Sequence, residues 1–431
     1  MLALVAAIFC MPVPQKIHAA SPHQTAPTGW LTATIVAMQS MDHALLHATD
    51  RIRAAVADRQ PLRIRGGGSK AFYTQPLQGA VLDTSGLSGI ASYEPSELVI
   101  TAGAGTSLVD LEAALAEKGQ CLPFEPPHFA WSGARDGAGM ADGTGVATVG
   151  GMVASGLAGP ARASVGGVRD YVLGLELING QAQHLTFGGQ VMKNVAGYDV
   201  SRLMVGALGT LGLLTTVSLK VLPVAPAEAT LVFEVDQSTA LEQLHRWGGE
   251  PLPLNASCWV HDNTDASAGA RDLLFVRLRG AMAAVEAACT RMLRELPGQR
   301  MDNIQAQADW TLCRNQQLPF FTAPPQPGWD LWRLSLPQTT PALDLPWVQL
   351  VVWHGGLRWL WAPAGAAATL QTAAHAAGGN ATIFITADAH STGSAGHFNA
   401  KNLAQAAIER RLKATFDPHG IFNPGLTPHA N

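Results

Sequence analysis

Three stretches of this chain hold residue types suited to chemistry at close backbone range. In the first, the short run Leu62-Arg63-Ile64-Arg65 leads into Gly66-Gly67-Gly68-Ser69-Lys70. A strand ending in three glycines and a hydroxyl presents consecutive backbone N–H groups in a concave turn. Such a nest cradles a pyrophosphate, and the missing side chains permit close approach. The run also reads as a flexible turn, and it is not a Walker motif, because no GK[ST] follows a GxxxxG frame. The second stretch runs from Asp142 to Gly156. In it Gly145, Gly150 and Gly151 leave room for a phosphate or a cofactor ring, while Thr148 and Ser155 offer hydroxyls. The third contains Asn194 and Gly197, followed by Gly206 to Gly212 with Gly209, Thr210 and Gly212. Nineteen of the 44 glycines lie between Gly133 and Gly212. Each interior glycine costs roughly 0.5–1 kcal/mol relative to alanine, so this density implies backbone brought close to something.

Other residues carry weaker signals. Gly103-Ala104-Gly105 follows a strand and precedes a helix, as in a dinucleotide fingerprint. The third glycine position is Leu108, however, and no acidic ribose partner follows. His43 and His47 stand four apart on a helix without a third ligand nearby, which favours a solvated face over a metal. His354 reads as a hydrogen-bonded hairpin histidine more readily than as a group approaching a cofactor. Arg162, Arg169 and Arg202 suit salt bridges or anion contacts, and Trp353, Trp359 and Trp361 suit core or a subunit interface. The five cysteines, Cys10, Cys121, Cys258, Cys289 and Cys313, show no CxxC and no metal spacing. They read as buried thiols in a reducing compartment, unable to hold an iron–sulfur cluster. The sequence assigns no metal site and no catalytic residue.

These residues must be positioned by surrounding elements. Leu45, Ala48, Ile52 and Val56 recur at helical spacing, with Asp42 as the cap. Strands follow at 62–65, 80–83 and 98–101, and Ser107 opens a helix carrying Leu108, Leu111 and Leu115 that ends at Gly119. The runs 171–178 and 181–187 flank Asn179-Gly180, a two-residue hairpin signal. Residues 211–222 form a strand-like run before Pro223. Beyond Pro226 come strands at 231–235, 258–261 and 273–278 with helices at 239–247 and 281–296. A second set follows at 331–336, 347–354, 357–361 and 381–386 with a helix near 366–377. Antiparallel sheets with helices on one face fit this order, as in ferredoxin-like units. A last helix over 402–416 leads to Asp417-Pro418-His419-Gly420-Ile421-Phe422-Asn423-Pro424-Gly425.

The composition narrows the partners. Charged residues are only 14 % of the chain and the net charge is -4, against about 25 % charged in an average soluble domain. Genome bias or a surface covered by cofactor and subunits explains this equally well. Without a concentrated basic face, nucleic acid is excluded as a partner.

The three stretches, in this order, resemble the FAD-binding domain of the vanillyl-alcohol-oxidase family, also called PCMH-type. Gly145 to Pro160, Val168 to Gly174 and Gly209 to Gly212 fall in family register, and the resemblance covers residues 42–426. Val191 to Asp199 and Phe124-Glu125-Pro126-Pro127-His128 are similar to the E-subunit branch of that family, found in bacterial glycolate oxidases. The resemblance implies an α+β fold: a two-part PCMH-type FAD-binding domain over 41–225, a ferredoxin-like cap over 226–395, and a C-terminal helix and tail over 396–431 that return to the first. It also implies a cofactor site made of Arg65, Gly66, Gly67, Gly68, Ser69, Lys70, Asp142, Gly145, Thr148, Gly150, Gly151, Ser155, Asn194, Gly197, Gly209, Thr210 and Gly212. Many relatives carry an FAD-linked histidine where Ser69 stands, so the FAD is expected to be non-covalent.

The activity implied is oxidation of glycolate to glyoxylate, within a complex that includes a D-type flavoprotein and an iron–sulfur subunit. Such a complex is cytoplasmic and touches the inner membrane peripherally. The HxGDGN-like motif of hydroxy-acid dehydrogenases has no counterpart here; His390 to His397 lacks the carboxylate. Two alternatives stay open: a self-sufficient dehydrogenase for another 2-hydroxy acid, and a structural subunit with a vestigial flavin site.

The N-terminus stands apart. Leu2 to Cys10 is apolar but shorter than the roughly 20 residues of a membrane span. It resembles a signal-peptide core with a cleavage site at His18-Ala19-Ala20, yet no Lys or Arg precedes it. Met38 or Met41 reads as the true start, with residues 1–40 an upstream extension lacking periodicity.

Overall fold

The computed structural model describes residues 28–73, 78–129, 145–189, 199–264, 269–322, 324–387 and 403–426. The chain divides into Met1–Ser40 and one compact unit, Met41–Asn431. Helix α1 (Thr28–Asp58) starts well before the expected cap, and Asp42 lies inside it. Between Trp30 and Met41 no glycine or proline interrupts the chain, so nothing forces a helix to wait for Asp42. Ala48, Ile52 and Ala55 form its buried stripe and pack on β1 (Leu62–Arg65) and β2 (Ala80–Asp83) through Leu62 and Leu82. The two strands pair in parallel, with Leu62 opposite Ala80 and Arg65 opposite Asp83.

The next layer comprises β3 (Ile90–Glu94), β4 (Val99–Gly103), α2 (Leu108–Ala116), β5 (Gln120–Cys121), α3 (Val149–Ser155), α4 (Arg162–Val165), β6 (Val172–Ile178), β7 (His184–Gly188), α5 (Val200–Leu203), β8 (Leu213–Lys220) and β9 (Leu222–Pro223). Five of these strands form an antiparallel sheet in the order β3-β4-β8-β6-β7. Ser107 caps α2 by accepting from the Val109 N–H at 3.1 Å, a contact worth about 1 kcal/mol. Leu108, Leu111 and Leu115 are then fully buried against the sheet. Because β4 meets antiparallel neighbours, Gly103 and Gly105 serve packing rather than a dinucleotide; a Cβ on Gly105 would lie 2.1 Å from the Thr84 carbonyl oxygen.

The Asn179-Gly180 hairpin differs from expectation. Its loop is longer than two residues, since Asn179 N–H donates to Gln183 and the Asn179 side chain accepts from Gln181 and Gln183. Gly180 is required for a different reason: a Cβ there would sit 2.7 Å from Cα of Asp417, at the end of the C-terminal helix.

The cap begins with β10 (Ala227–Glu234), α6 (Gln237–Gly248), β11 (Leu254–Asp262), β12 (Arg271–Gly280), α7 (Met282–Glu295) and β13 (Gly298–Arg300). After α8 (Asn303–Arg314) and α9 (Pro319–Thr322) come β14 (Trp329–Ser335), β15 (Gln349–Val352), β16 (Leu357–Pro363), α10 (Ala367–Ala376) and β17 (Asn380–Ile385). All eight strands join one antiparallel sheet, ordered β13-β10-β12-β11-β15-β16-β14-β17. Each half follows the ferredoxin order 4-1-3-2, and the halves meet where β11 pairs with β15. The second half has no helix in its first crossover. Residues 336–348 take that place, held by the buried Arg358 guanidinium, which donates to the Thr340 and Pro341 carbonyls at 2.5 and 2.8 Å.

Side chains alternate across this sheet. The outer face packs on α6, α7 and α10. The inner face, with Leu331, Leu350, Val352, Trp359 and Trp361, meets α8 and the first-layer residues Tyr73, Phe129 and Leu157. The three tryptophans at 353, 359 and 361 are therefore core. Finally α11 (Leu403–Phe416) returns to the first layers: Lys413 donates to the Thr210 carbonyl at 2.7 Å and pairs with Asp417 at 2.6 Å.

Candidate cofactor site and its cap

The glycine run leaves β1 and turns beside the start of α3. A parallel bridge joins Gly68 to Val146, and an antiparallel one joins Ser107 to Thr148. Thr148 caps α3 by accepting from Gly151 N–H at 3.2 Å. Gly66 lies directly over that cap, and a Cβ there would fall 2.5 Å from the Thr148 hydroxyl oxygen. Gly68 holds φ +80°, a left-handed conformation that favours glycine. These constraints bring Arg65 to Lys70, Gly145, Thr148, Gly150, Gly151 and Ser155 into one neighbourhood.

The individual roles differ from a simple phosphate list. Gly150 faces Ala104, whose Cβ would be 2.8 Å from an added Cβ, so this glycine serves helix-on-strand packing. The Ser155 hydroxyl donates to the Met152 carbonyl of its own helix at 3.2 Å. Arg65 lies 3.9 Å from Asp83 on the neighbouring strand. Gly209, Thr210 and Gly212 form a turn behind β1, where the Asn423 amide donates to the Leu208 carbonyl and the Thr210 hydroxyl to that of Ala207. Asp142, Asn194 and Gly197 lie outside the described residues, as do His390 and His397.

Lys70 is the most informative member. Its ammonium lies 3.4 Å from the Ser69 hydroxyl and 5.7 Å from the Phe129 ring centroid, with no carboxylate partner among the described residues. Burial lowers its pKa to about 8. A half-buried cation beside a glycine turn, with no carboxylate partner among the described residues, fits a pyrophosphate. The donor set thus suits a dinucleotide.

Several contacts fasten the cap to this layer, and two of them are polar clusters built on buried or strained groups. Glu125 is desolvated, yet the charges and hydrogen bonds of Arg277 and Arg279 hold its carboxyl below the usual range. Both Glu125 oxygens accept from Arg277, at 2.7 and 2.8 Å. At the second point the Trp353 indole N–H donates to the Gly159 carbonyl at 2.9 Å. His354 bonds Ser257 through Nδ1 at 3.0 Å and Ser164 through Nε2 at 2.9 Å. Burial lowers the His354 pKa to about 4, so it is neutral at physiological pH. Both Trp353 and His354 hold positive φ, 57° and 54°, a strained turn maintained by these contacts.

Elsewhere, His43 and His47 are exposed on α1. Arg202 pairs with Asp199, and Arg169 donates to the Val205 carbonyl. Among the described residues no His, Cys, Asp and Glu group could hold a metal, and no helix is long and apolar enough to cross a membrane.

A glycine cradle beside a two-layer sheet domain, under an antiparallel cap, defines a flavoprotein of the PCMH type. An FAD-binding-domain family model matches residues 47–188. The structure of alkyldihydroxyacetonephosphate synthase shares the fold, with a TM-score of 0.59 at 14% identity over 88% of this chain and 74% of that one. Glycolate oxidase subunit GlcE of Escherichia coli (strain K12) is 43% identical over 87% of this chain and 95% of its own length. Glycolate oxidase subunit GlcD of Bacillus subtilis (strain 168) is 30% identical over 45% of this chain and 40% of its own length. The chain belongs to the glycolate oxidase subunit GlcE family and is an FAD-dependent oxidoreductase subunit.

Proposed function

We propose that this chain is the FAD-binding E-type subunit of a complex that oxidises glycolate to glyoxylate and passes the electrons to a D-type flavoprotein and an iron–sulfur subunit. The match to GlcE along nearly the full length of both proteins carries this reading. When bound, FAD supplies the redox chemistry; the protein supplies binding, orientation and electrostatics. In this proposal the Gly66 to Ser69 turn and Lys70 hold the pyrophosphate, and Gly145, Thr148 and Gly151 border it. Asp142, Ser155, Asn194, Gly197, Gly209, Thr210 and Gly212 complete the site as the resemblance has it. The FAD is non-covalent, because Ser69 offers no imidazole. The complex works in the cytoplasm, peripherally at the inner membrane.

Co-expression with the two partners tests this. A flavin-containing complex that reduces dye with glycolate is expected, and Gly67→Val in this chain should abolish flavin retention in it while the cap still folds. A colourless chain within an active complex would sink the flavin assignment.

A further inference from the structure

Cys258 and Cys313 are far apart in sequence, and the cap brings them together. Cys258 lies near the middle of the eight-stranded sheet, on β11, opposite Phe275 of β12 and Val352 of β15. Its side chain belongs to the inner face, with Ala256, Leu350 and Val352. Over that face runs α8, which turns Ala306, Trp310 and Cys313 toward the sheet at helical spacing. The Trp310 indole N–H donates to the Thr230 hydroxyl of β10 at 2.9 Å, and the Arg277 guanidinium of β12 lies 4.8 Å from the same ring centroid. One turn further on, the helix has crossed to β11, the next strand in the sheet. There the thiols of Cys313 and Cys258 meet in a hydrogen bond.

The two thiols differ in what they can do. Cys258 is buried, and the contact with Cys313, followed by burial, pushes its thiol well above the ordinary range, so it keeps its proton. Cys313 is only half-buried and lines a cavity of about 30 Å³ between the cap sheet and the first layer. One water needs about 10–15 Å³ of such space, so a molecule of peroxide size fits beside the Cys313 sulfur. Thiol oxidation follows access, and a second thiol in contact converts the first oxidation product into a disulfide. The end of α8 also touches the first layer: Arg314 lies 3.6 Å from Glu112, and the Asn315 side chain accepts from the His128 N–H at 3.0 Å. A disulfide brings its sulfurs to about 2 Å, closer than any hydrogen bond, so it would draw this turn against β11.

We propose that Cys313 and Cys258 form a peroxide-reactive pair, in which Cys313 is oxidised first and Cys258 resolves it into a disulfide clasp between α8 and β11. The Cys313 sulfur attacks one oxygen of hydrogen peroxide, the O–O bond breaks, and a first water leaves, with a sulfenic acid on Cys313. The Cys258 sulfur then attacks that sulfur, the S–O bond breaks, and the hydroxyl leaves with the Cys258 proton as a second water. The two thiols together lose one electron pair, and the peroxide gains it. A thiol reductant reverses the bond by exchange. The pair requires neither bound flavin nor a partner subunit, so its test is separate from that of the function proposed above.

The test is titration of the reduced, full-length chain with hydrogen peroxide, then alkylation in denaturant and mass spectrometry of the non-reduced digest. A cross-linked peptide containing Cys258 and Cys313 is expected, lighter than its two parts by two hydrogens. Both alkylation sites should be lost and should return on adding dithiothreitol. Cys258→Ser should leave Cys313 as a sulfenic acid that dimedone captures, whereas the wild type should show little capture because Cys258 consumes it. Cys313→Ser should leave Cys258 alkylated after the same exposure. The oxidised wild type should unfold at higher denaturant than the reduced form, a shift absent from both variants. Circular dichroism before treatment establishes that each variant is folded, and the cross-link itself is read in the wild type, whatever the variants do. Three results would each overturn the pair. One is full alkylation of Cys258 and Cys313 at a peroxide dose that oxidises the half-buried Cys121. Another is dimedone capture on wild-type Cys313 equal to that in Cys258→Ser. The third is a disulfide from either residue to a different cysteine.

Discussion

As part of the proposed cradle, Lys70 gives predictions of opposite sign for apoprotein stability and for flavin retention. Its pKa falls from 10.5 to about 8 because burial strips water from the ammonium. Between these values the unfolded chain binds more protons, so apoprotein stability should rise with pH from about 8 to 10.5. Below about 8 the charge is present in both states and its full cost applies. Lys70→Met should therefore stabilise the apoprotein by roughly 1–3 kcal/mol at neutral pH, yet reduce flavin retention. Thermal melts of flavin-stripped protein and absorbance at the flavin band measure both effects. A variant that loses stability without its flavin, or that keeps stoichiometric flavin, would remove Lys70 from the site. Ser69 makes a separate prediction: acid or heat denaturation should release the flavin entirely into the supernatant, and fluorescence left on the precipitated chain would show a covalent link.

At the scale of elements, two of the contacts that fasten the cap respond to pH. His354 must gain a proton on unfolding, since its pKa is about 4 in the fold and near 6.5 outside it. Its contribution is therefore complete above about 6.5 and is lost as pH falls toward 4. Despite its burial, the Glu125 carboxyl is held below its ordinary 4.5 by Arg277 and Arg279, so its contribution is present above about 4.5 and is lost as pH falls through the lowered folded value. Glu125→Gln should cost about 3–5 kcal/mol at neutral pH, because it strands the buried Arg277 charge; His354→Asn should flatten the stability profile between pH 4 and 6.5. Denaturant unfolding against pH distinguishes them. Elements whose side chains face a single environment were legible in the sequence: Ser107 and the leucines at 108, 111 and 115 mark α2 as found. The helix α3 was hidden because its glycines serve approach to Ala104 and the Thr148 cap rather than a periodic stripe. Gly180 misled because its partner, Asp417, lies far along the chain. The helix α8 was missed within a polar stretch whose buried side is carried mainly by Ala306 and Trp310. The glycine run was legible because its residues are contiguous in sequence, whereas the contact of Glu125 with Arg277 and Arg279 forms only when the cap sheet closes on the first layer.

At the scale of the whole molecule, the proposed function separates flavin binding by this chain from turnover by the complex. Met41–Asn431 is compact by itself, so a chain beginning at Met41 should fold and bind FAD as the long form does; loss of folding on that truncation would give residues 1–40 a structural role. The purified chain, long or short, should still fail to oxidise glycolate. Abstracting hydrogen from a 2-hydroxy acid needs a base beside the substrate as well as a group for its carboxylate. Among the described residues, His354, held between the two layers, is neutral with both nitrogens engaged by Ser257 and Ser164. The His- and Asp-rich motif of related dehydrogenases has no match in this sequence. Steady glycolate-dependent dye reduction is therefore expected only when the D-type flavoprotein and the iron–sulfur subunit are present. Turnover by this chain alone, abolished when its FAD is stripped and restored when FAD is returned, would establish a self-sufficient dehydrogenase and place the missing base within the chain itself.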